Sequence, residues 1–591
     1  MKAKTIIFLS LTVLMCPLLE SCSLNKDTEQ NISRTKNSQI ITSQPPKTVP
    51  ALGDTEATPK NLKSSPPPPV PPQHIEEIVE SEISFNASDT NKSKRAYDSY
   101  KDCGTCGPTH KPSYNHADDN SETYQEIVEN KFKSSIEEPL STFSLDVDRA
   151  SYSNVRRMLL DGQLPNKNAV RIEEMVNYFN YEYEAPGSKH PIAMNSTLSE
   201  CPWNNDHQIM HIGIQGKKIE IENLPPSNLV FLLDVSGSMD QANKLPLVKS
   251  ALKLLLNQLR AQDRVAIVTY AGHAGIALES TPISEKQKII NALDNLSAGG
   301  STAGAQGIKT AYKIAKDNFI DGGNNRVILA TDGDFNVGVN SPKDLEKLIE
   351  EKRKSDIFLS VLGFGTGNYK DHQMQVLANK GNGNHAYIDN MLEAQKILVN
   401  EFGGTMFTIA KDVKIQIEFN PAYVSAYRLI GYENRMLNKE DFNDDTKDAG
   451  EIGSGHSMTA IYEIIPAGVE SNLVASVDAL KYQKEQKEKA NLVYNNELAT
   501  LKFRYKLPDE DISKKITLII SPTANSIEQN TSNVNFAIAV AEFGMLLRGS
   551  SYAQQSSIDQ INTLAKNSTV SDKQEFLNLV MLFNQLKEAE E

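Results

Sequence analysis

The chain has 591 residues, with 61 Lys and Arg against 75 Asp and Glu, giving a formal net charge of -14. That length exceeds what one hydrophobic core organises, so several domains are expected. The acidic balance, without any clustered basic run, excludes a nucleic-acid ligand, because phosphate binding needs a concentrated basic surface to drive counterion release.

The N-terminus, Met1-Lys2-Ala3-Lys4, is basic, and the apolar stretch that follows over 5–15 is too short to span the ~30 Å core of a bilayer. Residues 1–21 therefore read as an export signal. They end in Leu19-Glu20-Ser21-Cys22, which resembles a bacterial lipobox. That resemblance implies cleavage before Cys22, lipid modification of its thiol, and a tether to the bacterial cell envelope, with the outer membrane as the expected site. An ordinary cleaved signal with an incidental cysteine is the alternative.

Residues 22–125 are rich in Ser, Thr, Asn, Lys and Pro, including Pro66-Pro67-Pro68-Pro69 and Pro71-Pro72, and show no apolar period. Such a segment buries too little to offset ordering entropy, so a disordered tether is expected. Within it, Cys103, Cys106, His110 and His116 have spacings that suit one Zn²⁺, although a local disulfide, or no role, is the favoured reading. Cys201 is the one further cysteine beyond this pair and the signal region, so no disulfide framework is expected.

Order is expected from about Ser134, within an N-terminal family-specific domain over 126–223. A helix over 150–160 places Tyr152, Val155 and Leu159 on one face, with Asp148 positioned to cap it, and a second helix is expected over 170–179. Alternation of Met210, Ile212 and Ile214 marks a strand.

The region 224–405 reads differently. Leu229-Val-Phe-Leu-Leu233, Arg264-Val-Ala-Ile-Val-Thr-Tyr270, Arg326-Val-Ile-Leu-Ala-Thr331 and Ile357-Phe-Leu-Ser-Val-Leu362 are near-continuous apolar runs, as in strands of a parallel sheet buried on both faces. Helical periods alternate with them: Leu245, Val248, Leu252, Leu255 and Leu259, then Ile308, Ala311 and Ala315. The expected fold is a doubly wound, Rossmann-like α/β domain. Beyond it, 406–591 reads as a β-rich domain ending in helices. Val413, Ile415, Ile417 and Phe419 alternate, as do residues 501–505 and 516–520, and Phe536, Ala539, Val540, Phe543 and Phe576, Leu579, Val580, Phe583 form two helical stripes.

At the end of the first apolar run stands Asp234-Val-Ser236-Gly-Ser238, with Gly237 allowing a tight turn between the hydroxyls. Thr302 opens the helix containing Ile308, and Asp332 follows the third run. Loops at the carboxyl edge of a doubly wound sheet converge where strand order reverses, so Asp234 and Asp332 are expected to meet. Short Asp, Ser and Thr side chains offer the small oxygen ligands that Mg²⁺ or Mn²⁺ demands. These five positions resemble the metal-ion-dependent adhesion site of von Willebrand factor type A domains. The resemblance implies that Ser236, Ser238 and Thr302 coordinate the metal, that Asp234 and Asp332 act directly or through water, and that a protein partner offers a carboxylate as the last ligand. The segments Pro139-Leu-Ser-Thr-Phe-Ser-Leu-Asp-Val-Asp148 and Ala169-Val-Arg-Ile-Glu-Glu-Met-Val-Asn-Tyr-Phe179, and the region after Lys411, resemble YfbK-type bacterial von Willebrand A lipoproteins.

Three roles follow as expectations. The first is adhesion or scaffolding through the metal. The second is assistance to an envelope assembly or chaperone system with a MoxR-type ATPase, and the third is metal-dependent hydrolysis. Catalysis ranks last. Position 236 is Ser where a haloacid-dehalogenase nucleophile pair needs Asp, and the Asp146-x-Asp148 pair, followed by Ala150, reads as a turn. Gly455-His456-Ser457-Met458-Thr459 lacks the closing Gly of a nucleophile elbow, leaving His456 as a solvated loop residue. No phosphate-binding Gly loop is present, so no nucleotide is expected. The bland alternative for the main motif is helix capping by Asp and Ser.

Overall fold

The computed structural model describes residues 122–590 apart from 146–147, 272, 301–303, 334–341, 448, 475–493 and 495. The signal segment, Cys22, Cys103, Cys106, His110, His116, Asp146 and Thr302 lie outside the described residues.

In chain order the strands are β1 Lys133–Ser134, β2 Leu140–Ser144, β3 Ile192–Glu200, β4 Gln208–Gly216, β5 Ser227–Asp234, β6 Arg264–Ala271, β7 His273–Pro282 and β8 Asn324–Thr331. They continue as β9 Ile357–Phe364, β10 His385–Ile388, β11 Thr408–Phe419, β12 Val424–Ile430, β13 Gly450–Gly453, β14 Ser457–Pro466, β15 Ala499–Lys506 and β16 Lys514–Ile520. The helices are α1 Ala150–Leu160, α2 Ile172–Val176, α3 Leu245–Leu256, α4 Lys286–Asp294, α5 Gly304–Asp317, α6 Pro342–Arg353, α7 Asp371–Lys380, α8 Met391–Gln395, α9 Phe402–Met406, α10 Ser532–Arg548, α11 Ile558–Ala565 and α12 Lys573–Glu590.

The central sheet runs β10-β9-β8-β5-β6-β7, parallel except for β7, which returns antiparallel to β6 at the edge. The apolar runs become its strands because both faces are covered: every residue of β5 and β8 is buried. Leu229, Phe231 and Leu233 join the α3 stripe on one side, while Val230 and Leu232 meet Ile308, Ala311 and Ala315 of α5 on the other. This is the doubly wound α/β architecture.

Around it the N- and C-terminal segments build one β-sandwich. One sheet runs β1-β12-β14-β4-β3 and the other β13-β11-β15-β16, with β2 also paired to β11. Their shared core takes Met210, Ile212 and Ile214 from β4 together with Val413, Ile415, Ile417 and Phe419 from β11. The segments expected as separate flanking domains are thus laced together: β4 pairs along its length with β14, Ala460 opposite Ile212. A helical layer of α1, α2, α10, α11 and α12 covers the outer face of that sheet, with Phe179, Phe536 and Phe576 in edge contact. Among the described residues no helix is long and apolar enough to cross a membrane.

Three local expectations are corrected. The second helix stops at Val176 rather than 179, because the Asn177 side chain is drawn into hydrogen bonds with Tyr432 Oη and both backbone groups of Thr459. Asp148 does not cap α1; its carboxylate accepts from the His385 backbone N–H at 3.0 Å and from Arg435 at 2.7 Å, joining the first segment to the central domain and the sandwich. The chain is held on the body from Glu122, well before Ser134: Thr123 N–H donates to Tyr369 O at 3.1 Å.

α1 and α2 are clamped to the central domain by buried ions. Arg171 forks onto Asp371 and also pairs with Glu174, while Arg156 reaches Asp389, Glu393 and Glu575. Removing one partner of a buried pair strands the other charge and costs about 3–5 kcal/mol. Arg171→Ala is expected to lower unfolding free energy by that order in denaturant titration, whereas Lys288→Ala, whose pairing is exposed, should cost under about 1 kcal/mol.

Glu542 of α10 supplies a pH test. Burial raises its carboxyl from the ordinary 4.5 to about 7, against the opposing pull of Ser556 and Ser557. The folded state therefore holds a proton that the unfolded chain releases, and stability falls as pH rises from 4.5 to about 7, staying reduced above. Glu542→Gln should flatten this dependence and gain roughly 2–3 kcal/mol on wild type at pH 8 relative to pH 4, read by thermal unfolding.

Candidate functional site: a hydroxyl and carboxylate cluster at the switch point

Strand order reverses between β5 and β8: the chain moves outward from β5 through β6 to β7, then crosses back to β8 and on to β10. The two strands that flank this crevice are in parallel register, Leu233 opposite Ala330, so the residues that follow them emerge side by side. Asp234 closes β5 and Asp332 follows directly on β8, each 0% exposed.

The motif turn is built by its own backbone. Asp234 Oδ1 accepts from Ser236 N–H at 2.8 Å, and the hydroxyls of Ser236 and Ser238 lie 3.0 Å apart. Gly237 N–H donates to Gly300 O at 3.2 Å and Gly299 N–H to Val235 O at 2.8 Å, seating the loop that leads towards residue 302 against the turn. Neither Ser236 nor Lys244 makes a side-chain cap to the helical turns that follow, so helix capping does not account for the motif. Ser236 is buried, Ser238 half-buried and Gly237 exposed, which marks the side facing solvent.

The structure thus brings together Asp234, Ser236, Ser238 and Asp332, while Thr302 lies outside the described residues. The donor set fits a hard divalent cation: two carboxylates and two adjacent hydroxyls, with no thiol or imidazole among them. Among the described residues no group of three or more His, Cys, Asp or Glu is placed to hold a metal, so this hydroxyl-rich cluster differs from a zinc or all-carboxylate site.

Electrostatics point the same way. Burial raises the Asp234 carboxyl from 3.8 to about 6, the Ser236 hydrogen bonds oppose that, and the Asp332 charge adds to it. Two buried acids this close repel, and a cation between them relieves both the desolvation and the repulsion.

Several members of this site escape any sequence pattern. Lys244 Nζ donates to Asp332 Oδ2 at 2.9 Å with both side chains buried. Tyr270 presents its hydroxyl to Asp234, and Thr331 Oγ1 lies 3.4 Å from Asp234 Oδ2 while accepting from Gly333 N–H at 3.2 Å. A lysine ten positions past Asp234, or a tyrosine near the end of the next strand, carries no spacing signal. His456, expected to be solvated, is instead buried, and burial lowers its imidazole from 6.5 to about 3. Its ring packs against Gly404, where any β-carbon would lie 2.2 Å from it.

Comparison with known proteins agrees with this architecture. Residues 228–401 match the von Willebrand factor type A domain, 118–211 match a family described as von Willebrand factor, and 404–586 match the C-terminal region of YfbK. The uncharacterized protein YfbK of Escherichia coli (strain K12) is 45% identical over 470 residues, covering 78% of this chain and 80% of that protein. The chain belongs to the YfbK family. More distantly, human inter-alpha-trypsin inhibitor heavy chain H3 is 26% identical over 179 residues, 29% of this chain and 20% of that protein. Among solved structures, a von Willebrand factor type A protein from Catenulispora acidiphila covers 68% of this chain and 91% of its own, at 15% identity and a TM-score of 0.36. A YfbK-family chain with this domain at its centre carries a protein-interaction module, and domains of this type often bind a divalent metal.

Gly333 fixes the position of Asp332. Its φ is +106°, and a β-carbon there would sit 2.6 Å from Asn368 O and Lys370 N. Gly367 has a similar φ of +93° with nothing within 4 Å. Gly333→Ala should therefore destabilise by on the order of 1–3 kcal/mol more than Gly367→Ala in chemical denaturation, since only the first adds a backbone clash to the strained φ.

Proposed function

We propose that this protein binds a partner through a divalent cation, Mg²⁺ or Mn²⁺, held by Asp234, Ser236, Ser238, Thr302 and Asp332, and that it acts in adhesion or scaffolding at the bacterial envelope. The observation that carries the reading is the meeting of Asp234, Ser236, Ser238 and Asp332 at the switch-point crevice, open to solvent beside Gly237. The cation supplies Lewis acidity towards an incoming carboxylate. The chain's residues do the rest. The two carboxylates offset the ion's charge and the neutral hydroxyls add ligands without further negative charge, so an open position on the cation remains able to take a partner Glu or Asp. The lipid anchor at Cys22 and the tether over 22–125 belong to the same reading, as means of holding the domain at a membrane surface.

Asp234→Ala is expected to abolish binding of Mn²⁺ in calorimetric titration of the full chain. Capture of envelope proteins on the wild-type chain should be lost both in this variant and on addition of chelator. Equal metal affinity in wild type and Asp234→Ala would overturn the metal reading, and capture insensitive to chelator would overturn the role of the metal in partner binding.

A further inference from the structure

The residues immediately ahead of the body form a strap that reaches the candidate site through two layers of contact. Glu122, with its side chain 3% exposed, uses one carboxylate oxygen to accept from Gly367 N–H at 3.2 Å. Its other oxygen takes Arg157 Nη2 at 2.9 Å and Tyr124 Oη at 3.1 Å. Thr123 forms a parallel bridge to Lys370, and its N–H donates to Tyr369 O. The strap thus fastens the loop 365–370 that follows β9.

That loop is in turn packed against both groups that define the acidic end of the site. Asn368, Tyr369 and Lys370 press on Gly333, the neighbour of Asp332. Gly365, with φ +74°, lies so close to Lys244 that a β-carbon would fall 2.4 Å from its Cγ and Cε, and its carbonyl is pinned by Tyr387 Oη at 2.7 Å. The loop therefore walls the methylene chain of Lys244 and leaves its ammonium directed at Asp332, 2.9 Å away. An ammonium there competes, charge for charge, with a divalent cation for the same carboxylate.

Resting on the metal reading above, we propose that the strap formed by residues 122–124 holds the site in a state of reduced cation affinity, by clamping the 365–370 loop over Lys244 and so keeping Lys244 on Asp332. Displacing the strap, as a pull on the preceding chain would do, loosens the loop, frees the lysine and raises affinity for the cation. Lys244 is the positioning residue through which the strap acts, and the energetic link between strap and site is a coupling of two states of one loop.

The test is a double-mutant cycle on the full chain, with Mn²⁺ affinity read by calorimetry and folding checked by thermal unfolding. Lys244→Met removes the competing charge and should tighten Mn²⁺ binding about tenfold or more. Glu122→Gln weakens the fastening to Gly367 and Arg157 while keeping its shape, and Thr123→Pro removes the N–H given to Tyr369; either should tighten binding about fivefold. In the Lys244→Met background both strap variants should then have no further effect. Strap variants that leave affinity unchanged or weaker, or that tighten it equally without Lys244, overturn the proposal while the metal reading stands. Failure of wild type and Lys244→Met alike to bind Mn²⁺ overturns both.

Discussion

A domain inserted into a sandwich must leave and return at nearly the same place, and here one four-residue turn enforces that. At the corner from β13 to β14, Gly453 at the end of β13 and residues 454–456 touch both connections of the central domain. Gly216 N–H donates to His456 O at 2.8 Å and Gly455 N–H to Lys217 O at 3.0 Å on the outgoing side, while Ser454 N–H donates to Phe407 O at 2.8 Å on the returning side. Ser454 Oγ also accepts from Ile219 N–H at 2.8 Å. The approach is close enough that only glycine fits: a β-carbon on Gly453 would fall 1.7 Å from Gly404 O. With both ends fixed here, β4 and β11 can close the sandwich core while some 190 residues fold between them. A charged imidazole could not be accommodated in that turn, and burial, aided by Arg149, keeps His456 neutral.

The second constraint is ionic. The central domain meets the flanking segments through several buried charges: Arg156 with Asp389 and Glu393, Arg171 with Asp371, and Arg149 with Glu401. Such pairs add little net stability over well-packed apolar contacts, but they are intolerant of misplacement, because any shift leaves a desolvated charge unpaired. A joint of this type fixes orientation. It sets α1 against β10 and so determines where Arg157 stands to receive Glu122.

How much of this was legible in the sequence follows from how local each cause is. The parallel strands were readable because burial on both faces leaves continuous apolar runs, and Leu229 through Leu233 announce this without reference to any partner. The stripes on α3, α10 and α12 were readable for the same reason. The strands β12 and β14 were not, since each takes a partner more than 200 positions away, β1 and β4, and β13 is only the four residues Gly450–Gly453, too short to show alternation. The helix after Ala169 was overextended because nothing near Asn177 reveals that Thr459 will capture its side chain. At the site, Asp234, Ser236, Ser238 and Asp332 stood out because short oxygen side chains at strand ends have a spacing. Lys244, Tyr270 and Gly333 did not, because what matters in each is direction after folding.

The same distinction explains the charge balance at the crevice. Two carboxylates at 0% exposure are not tolerable as an isolated pair, and the chain answers locally and at long range. Locally, the Ser236 backbone and hydroxyl stabilise Asp234. At long range, Lys244 neutralises Asp332, held there by a loop whose own position depends on the strap at Glu122. In a crevice arranged in this way one of the two acids already has a partner. Beside that pair stand Asp234, with its raised carboxyl, and the paired hydroxyls, a set of oxygen groups of the kind that fits a hard divalent ion. On the proposed reading, Lys244 is therefore the charge that an incoming cation would displace from Asp332.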